Sequence, residues 1–190
     1  GIDVIFSGYG DRVDGGADKA DLLISLGGAS TGISVDFREL DNGGTLTLGG
    51  GLIQNIRSVL WIEGTNFDDT ITGSNAGTGL AQYAPIFGMG GNDHIIAGQN
   101  TGNIYGGDGN DTIEVHQNYF AGPSSNVLYG DAGDDTIIAT YSGSSSPTFT
   151  GYGGVGNDTI QLDGGTAWGG AGNDVITATA TEFAFATFQY

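Results

Sequence analysis

From about Gly64 onward the chain repeats one short period: a glycine-rich turn, an aspartate, and two residues later a branched aliphatic side chain. Those aliphatic residues are Ile71, Ile95, Ile113, Ile137, Ile160 and Ile176. Each sits in a short apolar run that reads as a strand. One side-chain type held in one slot through six copies predicts strands stacked in register, each Ile over the last. The residue ahead of each turn forms a second series, Phe87, Tyr105, Tyr129, Tyr152 and Trp168. It predicts a column of aromatic rings at the strand spacing of about 4.8 Å. Packing is the favoured reading of that column, and the pattern alone does not decide whether the rings face solvent.

The first third follows the pattern only loosely. Gly1 to Phe6 reads as the second half of one repeat, and Asp21-Leu22-Leu23-Ile24 lies 18 residues further on, which predicts Asp21 over Asp3 and Leu23 over Ile5. The expectation is a piece of a longer array, or else a frayed end cap. Between Ser25 and Glu63, alternation in Ile33–Phe37 and Thr45–Leu48 predicts strands, broken by a turn at Asp41–Gly44, and Leu52–Ile62 is the most apolar stretch. We read this part as metal-free coils or a small cap over the first coil, with a hairpin packed against the array as the alternative. Three segments result: 1–63, 64–177, and a terminal strand within 178–190. The last segment either caps the final coil or adds to a neighbouring molecule.

The turns carry the chemistry. They are Gly64–Asp69 (GTNFDD), Gly88–Asp93 (GMGGND), Gly106–Asp111 (GGDGND), Gly130–Asp135 (GDAGDD), Gly153–Asp158 (GGVGND) and Gly169–Asp174 (GGAGND). Successive glycines permit positive φ, which turns carbonyl oxygens toward a common point, and the closing Asp adds a carboxylate there. Oxygen donors without Cys or His describe a hard cation. Calcium accepts about 6–8 oxygens in flexible geometry, whereas zinc prefers nitrogen or sulfur.

The stretches GGDGNDTIE, GDAGDDTII, GGVGNDTIQ and GGAGNDVIT resemble the nonapeptide of the RTX (repeats-in-toxin) proteins secreted by bacteria. The resemblance implies an all-β, right-handed parallel β-roll with several calcium ions between the turns of neighbouring coils. The implied ligand positions are the carboxylates of Asp69, Asp93, Asp111, Asp135, Asp158 and Asp174 with the turn positions Gly64, Asn66, Gly88, Gly90, Gly106, Asp108, Gly130, Ala132, Gly153, Val155, Gly169 and Ala171. Ions are expected between successive aspartates, from the Asp69–Asp93 pair to the Asp158–Asp174 pair. Turn starts at 64, 88, 106, 130, 153 and 169 are not spaced by nine, so only every second turn keeps the motif. On the other side Gly102 stands where Asp would, and the turn is lengthened at Tyr119–Ser125 and Ser142–Pro147 or shortened at Leu162–Trp168. This predicts a one-sided roll, with calcium along one edge.

Charge sharpens the picture. The formal net charge is −18, and Arg12, Lys19, Arg38 and Arg57 are the only basic residues, so nucleic acid and anionic membranes are poor partners. No apolar run approaches the roughly 20 residues of a membrane span. Carboxylates stacked about 5 Å apart repel by roughly 0.8 kcal/mol in water, and more near protein. Ordering an 18-residue coil costs on the order of 18–36 kcal/mol of backbone entropy, against about 1.5–3 kcal/mol from each buried Ile. No stable roll is therefore expected without the cation.

Catalytic chemistry finds little support. The adjacent pairs Asp68-Asp69 and Asp134-Asp135 are explained by chelation, His94 occupies a solvated strand slot, and no nucleophile elbow, P-loop or dinucleotide fingerprint is present. No catalytic or organic-cofactor residue is expected. Three functions remain for a secreted or cell-surface protein: a calcium-folded structural or adhesive module that assembles with itself, a carbohydrate-binding module using the aromatic column, and ice binding through the aligned Asn92, Asn110, Asn157 and Asn173. We rank them in that order. In the family, C-terminal segments also serve as type I secretion signals.

Overall fold

The structure, a computed structural model, describes residues 3–75, 84–98, 101–117, 126–142, 149–178 and 186–189. In chain order its strands are β1 (Asp3–Gly8), β2 (Val13–Asp14), β3 (Ala20–Ser25), β4 (Ser34–Asp36), β5 (Thr45–Leu48), β6 (Gly51–Gln54), β7 (Ile56–Glu63), β8 (Thr70–Thr72), β9 (Ala84–Gly90), β10 (His94–Ala97), β11 (Thr101–Asp108), β12 (Thr112–Gln117), β13 (Val127–Ala132), β14 (Thr136–Tyr141), β15 (Phe149–Val155), β16 (Thr159–Leu162), β17 (Gly165–Ala171), β18 (Val175–Ala178) and β19 (Ala186–Gln189). Two parallel sheets face each other. One runs β1-β3-β7-β9-β11-β13-β15-β17-β19 and the other β4-β8-β10-β12-β14-β16-β18. From β8 onward the chain alternates between the sheets, so the fold is a parallel β-roll.

The Ile series forms one wall. Ile71, Ile95, Ile113, Ile137, Ile160 and Ile176 pair strand to strand in register. Val35 on β4 precedes them, so the column begins one coil earlier than the repeat motif does. The facing wall runs Ile62, Ile86, Ile104, Leu128, Gly151 and Ala167. Where that wall shrinks to Gly151 the roll closes up: a Cβ built there would lie 3.2 Å from Ile160 Cγ2, and Phe149 is fully buried beside it. Alternation then places the aromatic series on the outer face. Phe87, Tyr105, Tyr129, Tyr152 and Trp168 stack face to face, with centroids 4.6–5.0 Å apart and planes within 6° of parallel. Trp61 extends the column at 4.5 Å from Phe87, tilted by 31°.

The N-terminal part departs from the expected register. Ile5 pairs with Leu22 and Phe6 with Leu23, so the spacing is 17 residues rather than 18. A one-residue slip exchanges the two faces of a strand. Leu22 and Ile24 are buried while Phe6 is 79% exposed, so β3 turns its Leu22 and Ile24 face inward and the register follows. Between Ser25 and Glu63 the chain contributes to both the walls and a separate hairpin. β3, β7 and β4 belong to the two walls, and β5 and β6 form an antiparallel hairpin that joins β2 in a small third sheet. The hairpin turns at Gly49-Gly50, both at positive φ, whereas Asp41–Gly44 ends a 3-10 segment, Phe37–Gly43. Asn55, also at positive φ, is the corner that splits the apolar run into β6 and β7.

On the edge away from the aspartates, Asn126 Nδ2 donates to the Thr101 and Gly102 carbonyls at 2.7 and 3.0 Å, and Tyr141 N donates to Asp163 Oδ2 at 3.1 Å. The lengthened turns expected at Tyr119–Ser125 and Ser142–Pro147 lie largely outside the described residues. So does much of 178–190, although β19 adds in parallel to β17 as the last strand of its sheet.

Candidate metal centre

Two backbone positions shape each turn that follows β9, β11, β13, β15 and β17. The second position is left-handed at Met89, Gly107, Asp131, Gly154 and Gly170, and the fourth at Gly91, Gly109, Gly133, Gly156 and Gly172. Of these two left-handed positions, only the fourth is glycine in all five turns. A Cβ on Gly109, Gly133, Gly156 or Gly172 would strike the carbonyl oxygen of the matching glycine one coil back. The third-position carbonyls of Asp108, Ala132, Val155 and Ala171 accept from the fourth-position N–H of the preceding coil at 2.7–2.9 Å.

The closing aspartates form a ladder. Asp93 Oδ1 accepts from Asp69 N at 2.8 Å, Asp111 Oδ1 from Asp93 N at 2.7 Å, and Asp135 Oδ1 from Asp111 N at 2.8 Å. Asp158 Oδ1 then accepts from Asp135 N at 2.9 Å and Asp174 Oδ1 from Asp158 N at 3.0 Å. One oxygen of each carboxylate is thus used to bind coil to coil. The other is not: Oδ2 of Asp93, Asp111, Asp135 and Asp158 is buried without a hydrogen-bond partner. Four such atoms in register stand against the rule that buried polar groups are satisfied. Burial pushes Asp93 and Asp135 up to about 7 and Asp111 up to about 6, with neighbouring carboxylates adding to each shift, and it raises Asp158 as well.

A second oxygen accompanies each orphan. A Cβ on Gly88 would collide with both Asp93 Oδ2 and the Gly106 carbonyl oxygen, so these two oxygens converge beside Gly88. The same pairing recurs for Asp111 with Gly130, Asp135 with Gly153, and Asp158 with Gly169. Among the described residues no group of three or more His, Cys, Asp or Glu side chains is gathered, so an ion here takes most of its oxygens from the backbone. A buried anionic oxygen facing a carbonyl, with no N–H or O–H between them, fits a hard divalent cation.

The first turn differs. Thr65 and Phe67 replace the two left-handed positions, and neither has positive φ. Asp69 Oδ2 accepts from Thr65 N at 2.6 Å, while Asp69 Oδ1 accepts from Thr65 Oγ1 at 2.9 Å and Ile33 N at 2.8 Å. Further back, buried Asp21 is bound by the Arg57 guanidinium and the Ser58 hydroxyl.

Asp68 and Asp134 have a role that the chelation reading missed. Asn92 N donates to Asp68 Oδ1 at 2.7 Å, Asn110 N to Asn92 Oδ1 at 2.8 Å, Asp134 N to Asn110 Oδ1 at 2.9 Å, Asn157 N to Asp134 Oδ1 at 2.7 Å, and Asn173 N to Asn157 Oδ1 at 3.0 Å. This exposed ladder runs opposite in direction to the buried one. The signal was present in the sequence as an amide or carboxylate at the fifth place of every turn. His94 and His116 lie on the outer face of the second sheet. Their Nε2 atoms are each 2.8 Å from a different oxygen of Glu114, whose carboxyl is held below its usual range by those bonds.

A family profile described as the RTX calcium-binding nonapeptide repeat matches the chain in four copies, at residues 61–76, 86–113, 118–140 and 162–180. No curated protein and no solved structure matches it. The matched segments cover the turns closed by Asp69, Asp93, Asp111, Asp135 and Asp174 and leave that of Asp158 between them, so the chain carries RTX calcium-binding nonapeptide repeats, and they hold three of the four turns whose buried carboxylate oxygens lack a partner.

Proposed function

We propose that this chain is a structural module of a secreted or cell-surface bacterial protein, set into its rigid form by extracellular calcium held between successive turns. The carrying observation is the row of unpartnered Oδ2 atoms on Asp93, Asp111, Asp135 and Asp158. Each would bind an ion together with the first-position carbonyls of Gly106, Gly130, Gly153 and Gly169, with the other turn carbonyls completing the shell. The cation supplies the positive charge that the row lacks, and because the ligands converge only in the folded chain, binding free energy becomes folding free energy. Calcium sites of extracellular modules bind at roughly 10⁻⁴–10⁻³ M, which suits a switch thrown on export.

The geometry gives the competing readings less support. Rings stacked within 6° of parallel cover one another's faces, so most of the aromatic column offers edges rather than the platforms a sugar stacks on. The side-chain oxygens of Asn92, Asn110 and Asn157 are engaged in their ladder, which removes acceptors from an ice-binding array. A structural role with adhesion or self-assembly therefore remains first. Calorimetric titration of chelator-treated protein should give four calcium ions per chain. Failure to bind calcium would refute the reading, and velocity sedimentation in calcium decides between a monomeric spacer and an assembling one.

A further inference from the structure

Building on the calcium reading, we infer that Thr65 takes the place of an ion in the first turn, and that the coils before it form a calcium-independent scaffold on which the calcium turns order. In the later turns a carboxylate spends Oδ1 on the preceding coil and leaves Oδ2 bare. At Asp69 the same two oxygens are filled from the chain itself. Ile33 N occupies the role that an aspartate N–H plays further on, and the Thr65 amide and hydroxyl cover the remaining acceptor sites. The turn is shaped for this, since Thr65 and Phe67 keep negative φ where the calcium turns are left-handed.

The other buried carboxylate on this side, Asp21, is neutralised by Arg57, so neither calls for a metal. The core is also denser here. Phe37, Leu40, Leu46, Leu48 and Ile53 join the wall residues inside, fed by the hairpin and the 3-10 segment, whereas later coils have little beyond their wall residues. Through Asp69 N, this closed turn donates to Asp93 Oδ1, the first carboxylate of the open series. The scaffold therefore ends in a donor already placed for the first calcium turn.

Hydrogen exchange of the full chain, with calcium and with chelator, tests this. In chelator, amides of β3, β7 and β8 should stay protected while those of β12, β14 and β16 exchange freely. Thr65→Val should lower chelator-state protection of β4 and β8 by about tenfold, the value of one buried hydrogen bond, and Thr65→Ser should retain it. Replacing Thr65 and Phe67 together by Gly recreates the later turn pattern and should raise calcium stoichiometry by one. Loss of protection in all strands together, or unchanged stoichiometry in the double variant, would overturn the inference while leaving calcium binding itself intact. Absence of calcium binding in the wild-type chain would instead refute the function on which it rests.

Discussion

Asp21 and Asp111 are both buried carboxylates beside a parallel strand, yet they are held in different ways. Asp21 meets a guanidinium and a hydroxyl from β7, whereas Asp111 meets one backbone N–H and leaves its second oxygen facing a carbonyl. The difference follows the chain's charge. All four basic residues lie at or before Arg57, so an early buried acid can meet a cationic side chain, as Asp21 does, whereas on the proposed reading the later ones take their cation from outside. A solenoid is a sum of neighbouring coils, so such a boundary yields two regions with different thermodynamics inside one continuous sheet.

The largest expected effect separates the regions from the calcium side. Asp111→Ala removes an orphan oxygen and the acceptor of Asp93 N, so it should abolish one ion and weaken its neighbour. The cost should be at least about 2–3 kcal/mol in calcium, read by calorimetry and denaturant unfolding, with little change in chelator. Arg57→Ala attacks the other region. Leaving Asp21 without its cation should cost about 2–3 kcal/mol, below the range for fully buried pairs because Arg57 keeps a third of its side chain exposed. That loss should be equal with and without calcium.

Acidity sharpens the comparison further. Asp93, Asp111 and Asp135 have folded values raised above the ordinary carboxylate range to about 6–7, so the metal-free fold binds more protons than the unfolded chain between about pH 4 and 7. Their contribution favours the metal-free turns at low pH and is lost as pH rises toward 7. In chelator, acidification from pH 7 to 5 should therefore recover part of the hydrogen-exchange protection of β12 and β14, whereas calcium affinity should fall over the same interval as protons compete. The smallest effect is expected from Asp163→Ala. It removes one hydrogen bond to Tyr141 N on the opposite edge and should cost under about 1.5 kcal/mol without changing calcium stoichiometry.

Much of this architecture was legible because a solenoid writes its register into its spacing. The Ile and aromatic series gave the pairing of β9 to β18 and the face each side chain occupies. Val35 and Trp61, which begin those series, were missed because no motif turn precedes Val35 and because Glu63, not Trp61, stands immediately ahead of the turn at Gly64. The slip between β1 and β3 was also hidden, since Leu22 and Leu23 are both apolar and only burial shows which one faces inward. At the site, six aspartates read as equivalent, and the structure separates Asp69 from the rest through a neighbouring threonine. The clue was GTNFDD itself, the one turn with no glycine at its fourth place, where every other turn must avoid a carbonyl oxygen.

The central claim is that calcium completes the turns after β9 and so orders the coils they close. The stacked Tyr105, Tyr129, Tyr152 and Trp168 rings provide a direct reporter, because their near-ultraviolet circular dichroism depends on the column being assembled. Calcium titrated into chelator-treated protein should bring that signal up cooperatively, and magnesium at the same concentrations should not, given its demand for a tight octahedron. A full signal already present in chelator would contradict the account.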